Sequence, residues 1–149
     1  MFILACKIEI GGFVFRSVNE VEITKSVTEL VDTAVIKMPT KFKIRSNNEQ
    51  KYIEEVIKPG DEVKITLAYE GKYEGVEFTG YVKKVNPKIP MEIHCEDAMW
   101  LLRRKNISKS WKKTTLKEVL QEIVTGTGIK LSKRVPDVAL ESWIIRSKN

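Results

Sequence analysis

The chain's single histidine, His94, stands between Glu92 and Glu96 at alternating positions, and a strand would turn all three side chains to one face. Imidazole and carboxylate together are ligands for a divalent cation, and an enzyme built on them would be a metal-assisted hydrolase around His94. The spacing works against that chemistry, because alternate residues of one strand lie about 7 Å apart along its axis. The adjacent Glu96 and Asp97 point in different directions on strand or helix alike, so Asp97 reads as a helix cap rather than half of an acid–base pair. Cys6 and Cys95 each alternate with apolar residues and read as buried small hydrophobes. A cytosolic origin with free thiols is expected of them, a single disulfide between the two being the other arrangement. The chain carries no GxGxxG, GxxxxGK[ST], HExxH, GxSxG, CxxC or EF-hand loop; each would have implied a specific chemistry. No enzyme activity, cofactor, catalytic residue or resident metal is therefore expected.

Charge is the second chemical feature. Of 26 basic residues, seven (Arg103, Arg104, Lys105, Lys109, Lys112, Lys113 and Lys117) fall in one short segment without an acid among them. Setting them aside leaves 19 basic against 20 acidic residues, so the net charge of +6 is essentially one patch. A basic patch containing Trp111 could meet nucleic acid or another polyanion. Aromatic residues that would stack bases are not repeated along it, which favours a solvated edge or an acidic protein partner. Trp100, Trp111 and Trp143 read as core or interface anchors.

The elements that must carry these residues follow from periodicity. The 149 residues, 42% apolar and 31% charged, suit one soluble domain or one domain and the start of another. No apolar run approaches the roughly 20 residues of a membrane span, and no membrane partner is expected. Leu4-Ala5-Cys6 resembles a lipoprotein cleavage site, yet five apolar residues with no preceding base fall short of a signal core and read as a first strand. Gly11-Gly12 turns that strand into Phe13–Phe15. Val18 to Val27 and Ala34 to Met38 alternate as half-buried strands, the second stopped by Pro39. Residues 40–57 are polar and charged, with no periodicity that places them. Pro59-Gly60 makes a turn, after which Val63 to Ala68, Phe78 to Val85 and Met91 to Cys95 read as antiparallel strands. Asp97 caps a short helix at Ala98 to Leu102. Thr115-x-x-Glu118 is a capping box for a longer one, with Leu116, Val119, Leu120 and Ile123 on one face and Gly126 and Gly128 past its end. Ile129 to Leu131 and Val138 to Ile145 read as further strands. The expected fold is mainly β, a barrel-like antiparallel domain with one short and one longer α-helix, divided at residue 128 into a first domain (1–128) and the start of a second unit or a packing tail (129–149).

In order and spacing these segments resemble a known family. Val21-Glu-Ile-Thr-Lys-Ser-Val27 followed by Leu30-Val-Asp-Thr-Ala-Val-Ile-Lys-Met-Pro39, then Pro59-Gly-Asp-Glu-Val-Lys-Ile65, Phe78-Thr-Gly-Tyr-Val82, and Ile93-His-Cys-Glu-Asp-Ala-Met-Trp-Leu-Leu102 leading into Thr115-Leu-Lys-Glu-Val-Leu120, are similar to the opening of the late control gene-D-like baseplate hub proteins of contractile phage tails. The likeness runs from about Lys7 to Gly128. It implies a tail-tube-like fold, related to that of type VI secretion spike proteins, and a structural role: three copies in a ring that joins the tail tube to the central spike, in the virion tail and, before assembly, in the host cytoplasm. It implies other tail proteins (tube, spike and baseplate) as partners and a homotrimer in the full assembly. Such proteins continue through a second domain where this chain stops at Asn149. Exposure then selects as candidate interface residues Arg103, Arg104, Lys105, Lys109, Trp111, Lys112 and Lys113, with Tyr69 and Tyr73 of a hairpin and the 40–57 excursion. The competing reading is a nucleic-acid-binding small β-barrel that uses residues 103–117.

Overall fold

The computed structural model describes residues 4–45, 47–69 and 72–146. Met1–Ile3 of the expected first strand, Ser46, Glu70 and Gly71 of the expected turn, and the last three residues lie outside them. Gly11 and Gly12 take φ of +55° and +86° and reverse β1 (Leu4–Ile10) into β2 (Phe13–Phe15). Then come β3 (Glu20–Thr24), β4 (Thr33–Met38), the hairpin β5 (Lys41–Lys43) and β6 (Gln50–Tyr52), and a single helical turn, α1 (Ile53–Val56). Gly60, at φ +100°, starts β7 (Glu62–Tyr69), which is followed by the long β8 (Tyr73–Asn86) and by β9 (Met91–Glu96). Seven strands form one sheet in the order β2-β1-β7-β8-β9-β4-β3, antiparallel throughout, so the mainly-β expectation holds.

Period-two alternation sends one set of side chains inward. Ile8 and Ile10, Ala34 and Ile36, Val63 and Ile65, Phe78 and Val82, and Ile93 and Cys95 make one continuous buried cluster, arranged in cross-strand rows such as Ile36 opposite Ile93 and Ile8 opposite Ile65. Backbone pairing stops at β2 on one side and β3 on the other. There Phe15, Val18, Val21 and Ile23 pack on the same core. Residues 40–57 cover this core: Ile53 and Ile57 are buried in it, and Phe42 and Val56 pack against it. Only these few positions point inward, so no period marks the segment in the sequence.

Two irregularities shape β8. The register against β7 shifts between Ile65 and Thr66, skipping Glu77, and the register against β9 shifts between Val82 and Lys84, skipping Lys83. A bulge re-aims the extra residue's side chain. Glu77 reaches Lys25 at 3.2 Å and Lys83 pairs with Glu96, whose carboxylate is only 4% exposed. β3 ends earlier than the alternation through Val27 implies. The Ser26 hydroxyl accepts from the backbone N–H groups of Thr28 and Glu29, a local alternative that ends the ladder and leaves Val27 and Leu30 exposed.

Cys6 in β1 and Cys95 in β9 are both free thiols. The intervening β7 and β8 separate them by three strand spacings, about 14 Å along the sheet, twice the Cα separation a disulfide spans. Burial pushes the Cys95 thiol up to about 12 and raises Cys6 as well. A thiol-specific chromophore at pH 8 is therefore expected to leave Cys95 unmodified in the native protein and to titrate both thiols in denaturant; rapid native labelling of Cys95 would refute the buried register of β9.

By internal contacts the chain divides into two units, Met1–Trp100 and Leu101–Asn149. Helix α2 (Met99–Arg104) spans the division. Asp97 caps it as expected: its Oδ1 accepts from Met99 N at 2.9 Å, and its Oδ2 accepts from Asp32 N at 3.0 Å. In the second unit β10 (Ser108–Trp111) and β11 (Thr114–Thr115) precede α3 (Leu116–Val124), and β12 (Ala139–Leu140) and β13 (Trp143–Arg146) follow it. The capping box is present. Thr115 Oγ1 accepts from Glu118 N at 3.3 Å, and the Glu118 carboxylate accepts from Thr115 N at 3.1 Å. Residues 129–131, expected as a strand, run without a ladder. The expected strand at 138–145 is two short ones, broken at Glu141-Ser142, which pair back to β11 and β10.

Candidate functional site

On β9 the three residues whose types suggested a metal do not come together as one set: Glu92 and His94 stay close, and Glu96 pairs elsewhere. His94 Nε2 lies 3.0 Å from Asn86 Nδ2 and 3.5 Å from Glu92 Oε2, while Glu96 is buried and bonded to Lys83. For Glu92, burial raises the carboxyl, but Lys88, His94 and Asn86 outweigh it and hold the group below its ordinary value. Among the described residues no three His, Cys, Asp or Glu side chains cluster closely enough to hold a metal ion. No helix there is long and apolar enough to cross a membrane.

At the β7–β8 hairpin the ladder brings Tyr69 opposite Tyr73, both exposed. The Tyr73 hydroxyl donates to Glu77, and with Ile23, Leu67 and Lys25 these side chains line a shallow groove. The Tyr73 hydroxyl and then Lys25 hold Glu77 below the usual carboxylate range; Lys7 does the same for Glu9, and Lys109 for Glu122. A carboxyl depressed in the folded state contributes stability that is complete above its unfolded value, 4.5, and is lost as pH falls through the folded value. The melting temperature should accordingly hold level from neutral pH down to about 5 and then fall, less steeply in Glu77→Gln. An acid limb that Glu77→Gln leaves unchanged would remove Glu77 from that account.

The basic run resolves into different roles. Arg103 and Arg104 fill the last turn of α2, where cations suit the helix dipole. Lys105 turns inward: its ammonium donates to the carbonyl oxygens of Glu122, Ile123 and Thr125 at 2.7, 3.1 and 2.5 Å, satisfying the C-terminus of α3. Lys109 pairs with Glu122 at 2.7 Å and sits 5.4 Å from the Trp111 ring centroid. Lys112 and Lys113, between β10 and β11, are exposed, as is Lys117. Lys105→Met should lower the local stability of α3 by about 1–2 kcal/mol, read as faster amide exchange over residues 121–125; unchanged exchange would show that the carbonyls need no cation.

The sequence reading missed one pairing. Trp143 is the Cα partner of Trp111, although the two are 32 residues apart, and Trp143, Ile144 and Val138 are all exposed. Residues 101–149 hold 12 basic and 4 acidic residues, so the second unit joins a strong positive charge to exposed apolar side chains. The periodicity of the sequence gave no sign of that juxtaposition.

Taken together, the fold defines an antiparallel, mainly-β domain followed by a small basic α/β unit. No protein-family model and no curated protein matches the chain. Among solved structures it is similar to the crystal structure of the 43 kDa tail protein of prophage MuSo2 from Shewanella oneidensis, with a TM-score of 0.64 and 18% sequence identity over 95% of this chain and 44% of that one. At this identity the likeness shows a shared fold, and the chain spans less than half the length of the tail protein it matches.

Proposed function

We infer that the chain is a structural component of a phage or prophage-derived contractile tail, part of the baseplate hub that links tail tube to central spike. The observation that carries this reading is the likeness to a prophage tail protein over 95% of the chain; the order and spacing of its segments add to it. The role is one of geometry rather than catalysis. Three copies form a ring, residues 1–128 acting as its first barrel domain and 129–149 as the start of a second unit or a packing tail. Contacts to tube, spike and baseplate proteins run through Arg103, Arg104, Lys112, Lys113, Trp111 and the Tyr69–Tyr73 hairpin, with Lys105 and Lys109 holding α3 behind them. The protein resides in the virion tail, after a stage in the host cytoplasm. Tyrosine, tryptophan and arginine side chains are what assembly interfaces use as anchors, with lysines suited to the polar rim.

One observation favours a second reading, nucleic-acid binding by the second unit: a unit of net positive charge carries a cross-strand Trp111–Trp143 pair with Lys109 beside Trp111, a combination suited to stack on and neutralise a single strand. Light scattering at low and high salt, with a fluorescent oligonucleotide in the same sample, separates the two. A trimer indifferent to the oligonucleotide is the expected result for a hub. A monomer that binds it, with affinity falling steeply as salt rises, would replace the hub with the second reading.

A further inference from the structure

A groove on the first unit, lined on one side by the start of the 40–57 excursion and on the other by residues given no role in assembly, lies between the edge strand β2 and the β5 hairpin. Its floor is three half-buried rings. Phe42 meets Phe13 at 5.4 Å and Phe15 at 5.1 Å between centroids, both edge-on at 74° and 78°. Around the floor stand Arg16, Lys43 and Arg45, all exposed. No Asp or Glu lines the groove, and among the described residues none of the three cations is in an ion pair within 4.0 Å. Elsewhere on this unit Lys25, Lys37, Lys64, Lys83 and Lys88 are each matched to a carboxylate, whereas among the described residues the exposed Lys41 and Lys84 are in no such pair. β2 is paired on one side to β1, and among the described residues no strand pairs with its other side.

We propose that this groove binds an extended acidic peptide segment of a partner protein, laid along β2 with alternate apolar side chains on the phenylalanine floor and carboxylates against Arg16, Lys43 and Arg45. An added strand uses the backbone of an unpaired edge for affinity and the floor for specificity. Its period of two places an acidic and an apolar row on the two sides that the groove presents. A nucleic-acid strand fits less well, because the three rings meet one another tilted or T-shaped and do not form the row of parallel faces on which successive bases would stack. A second copy of this chain fits less well too: its own acidic edge strand β3 spends Val21 and Ile23 on its own core and has no apolar row to offer. The site is independent of the hub reading and stands or falls by itself.

The test is fluorescence anisotropy on the full chain. The probe is a labelled peptide of about ten residues alternating glutamate and phenylalanine, set beside its lysine-for-glutamate counterpart and an oligothymidylate of equal charge. Amide shift mapping is done on the same samples. Expected are saturable binding of the acidic peptide alone, shifts confined to residues 13–16 and 42–45, and at least roughly tenfold weaker binding in Lys43→Glu/Arg45→Glu. Circular dichroism confirms that this variant is folded; Lys43→Gln/Arg45→Gln, which should weaken binding less, serves if it is not. No saturable binding, equal binding of the lysine peptide, preference for the oligonucleotide, or shifts elsewhere would each overturn the proposal. So would concentration-dependent self-association that disappears in the charge variant, since it would assign the groove to a second copy.

Discussion

Replacing Ile93 by alanine is expected to cost about 2–5 kcal/mol, the range for deleting a large apolar side chain from a packed interior. Ile93 is fully buried at the centre of β9, opposite Ile36 on β4 and Val85 on β8. The cavity would open between two strands that cannot move together without breaking ladders on both sides. Measured against the 5–15 kcal/mol of a typical domain, that is a large fraction of the total, and at about 2–4 °C per kcal/mol the melting temperature should fall by roughly ten degrees. Ile89→Ala provides the control, because Ile89 is 94% exposed and its removal should stay within about 0.5 kcal/mol. Chemical denaturation of both variants checks the pair; equal losses would mean that β9 is not the middle of the core.

Gly80→Ala should be nearly as damaging although it adds only a methyl group. A Cβ at Gly80 would overlap the backbone carbonyl of Glu96 and come within 2.9 Å of the Phe78 ring. The obstacle is backbone of the neighbouring strand, so no side-chain rotation relieves it. Strand β8 passes this point between its two bulges, opposite Val63 on β7, and has lost the freedom to shift. A cost of about 2–4 kcal/mol follows from such overpacking and strain. Thr79→Ala next to it, on the exposed face, should be close to neutral. A wild-type denaturation midpoint for Gly80→Ala would show that β8 and β9 lie further apart than described.

What the sequence disclosed, and what it hid, divides along the range of the interactions. The Gly11-Gly12 reversal, the Pro59-Gly60 turn, the Asp97 cap and the Thr115–Glu118 box are each completed within a few residues, so their chemistry is visible in a short window. The inward rows Val63–Ile65 and Met91–Cys95 were legible because a half-buried strand repeats every two residues. The bulges were not. Nothing local distinguishes Glu77 or Lys83 from other charged residues on an exposed face, and their displacement depends on Lys25 and Glu96, one distant in sequence and the other on the next strand. Residues 40–57 escaped for the opposite reason, since a short hairpin and one helical turn reach the core through Phe42, Ile53 and Ile57 alone. In the candidate interface, charge alone could not separate Lys105, spent on the end of α3, from Lys112 and Lys113, which face solvent. Only tertiary pairing reveals Trp143 beside Trp111.

These distinctions matter for the assembly role. The hub reading needs a rigid sheet in the first unit to present the Tyr69–Tyr73 hairpin, and Ile93 and Gly80 provide it. The contact residues themselves are expected to be nearly silent in stability measurements and to act only on association, as rim and anchor residues of interfaces do. Charge reversal at Lys112 and Lys113 should thus leave the melting curve in place while it impairs incorporation into particles.

The most direct measurement is mass spectrometry of tail particles purified from a lysate of the host, set beside particles from a strain deleted for this chain. The hub reading predicts that its peptides co-purify with the particles at a few copies each and that the deletion strain makes no complete tails. Intact tails of normal length from the deletion strain, or normal particles without the chain, would contradict it.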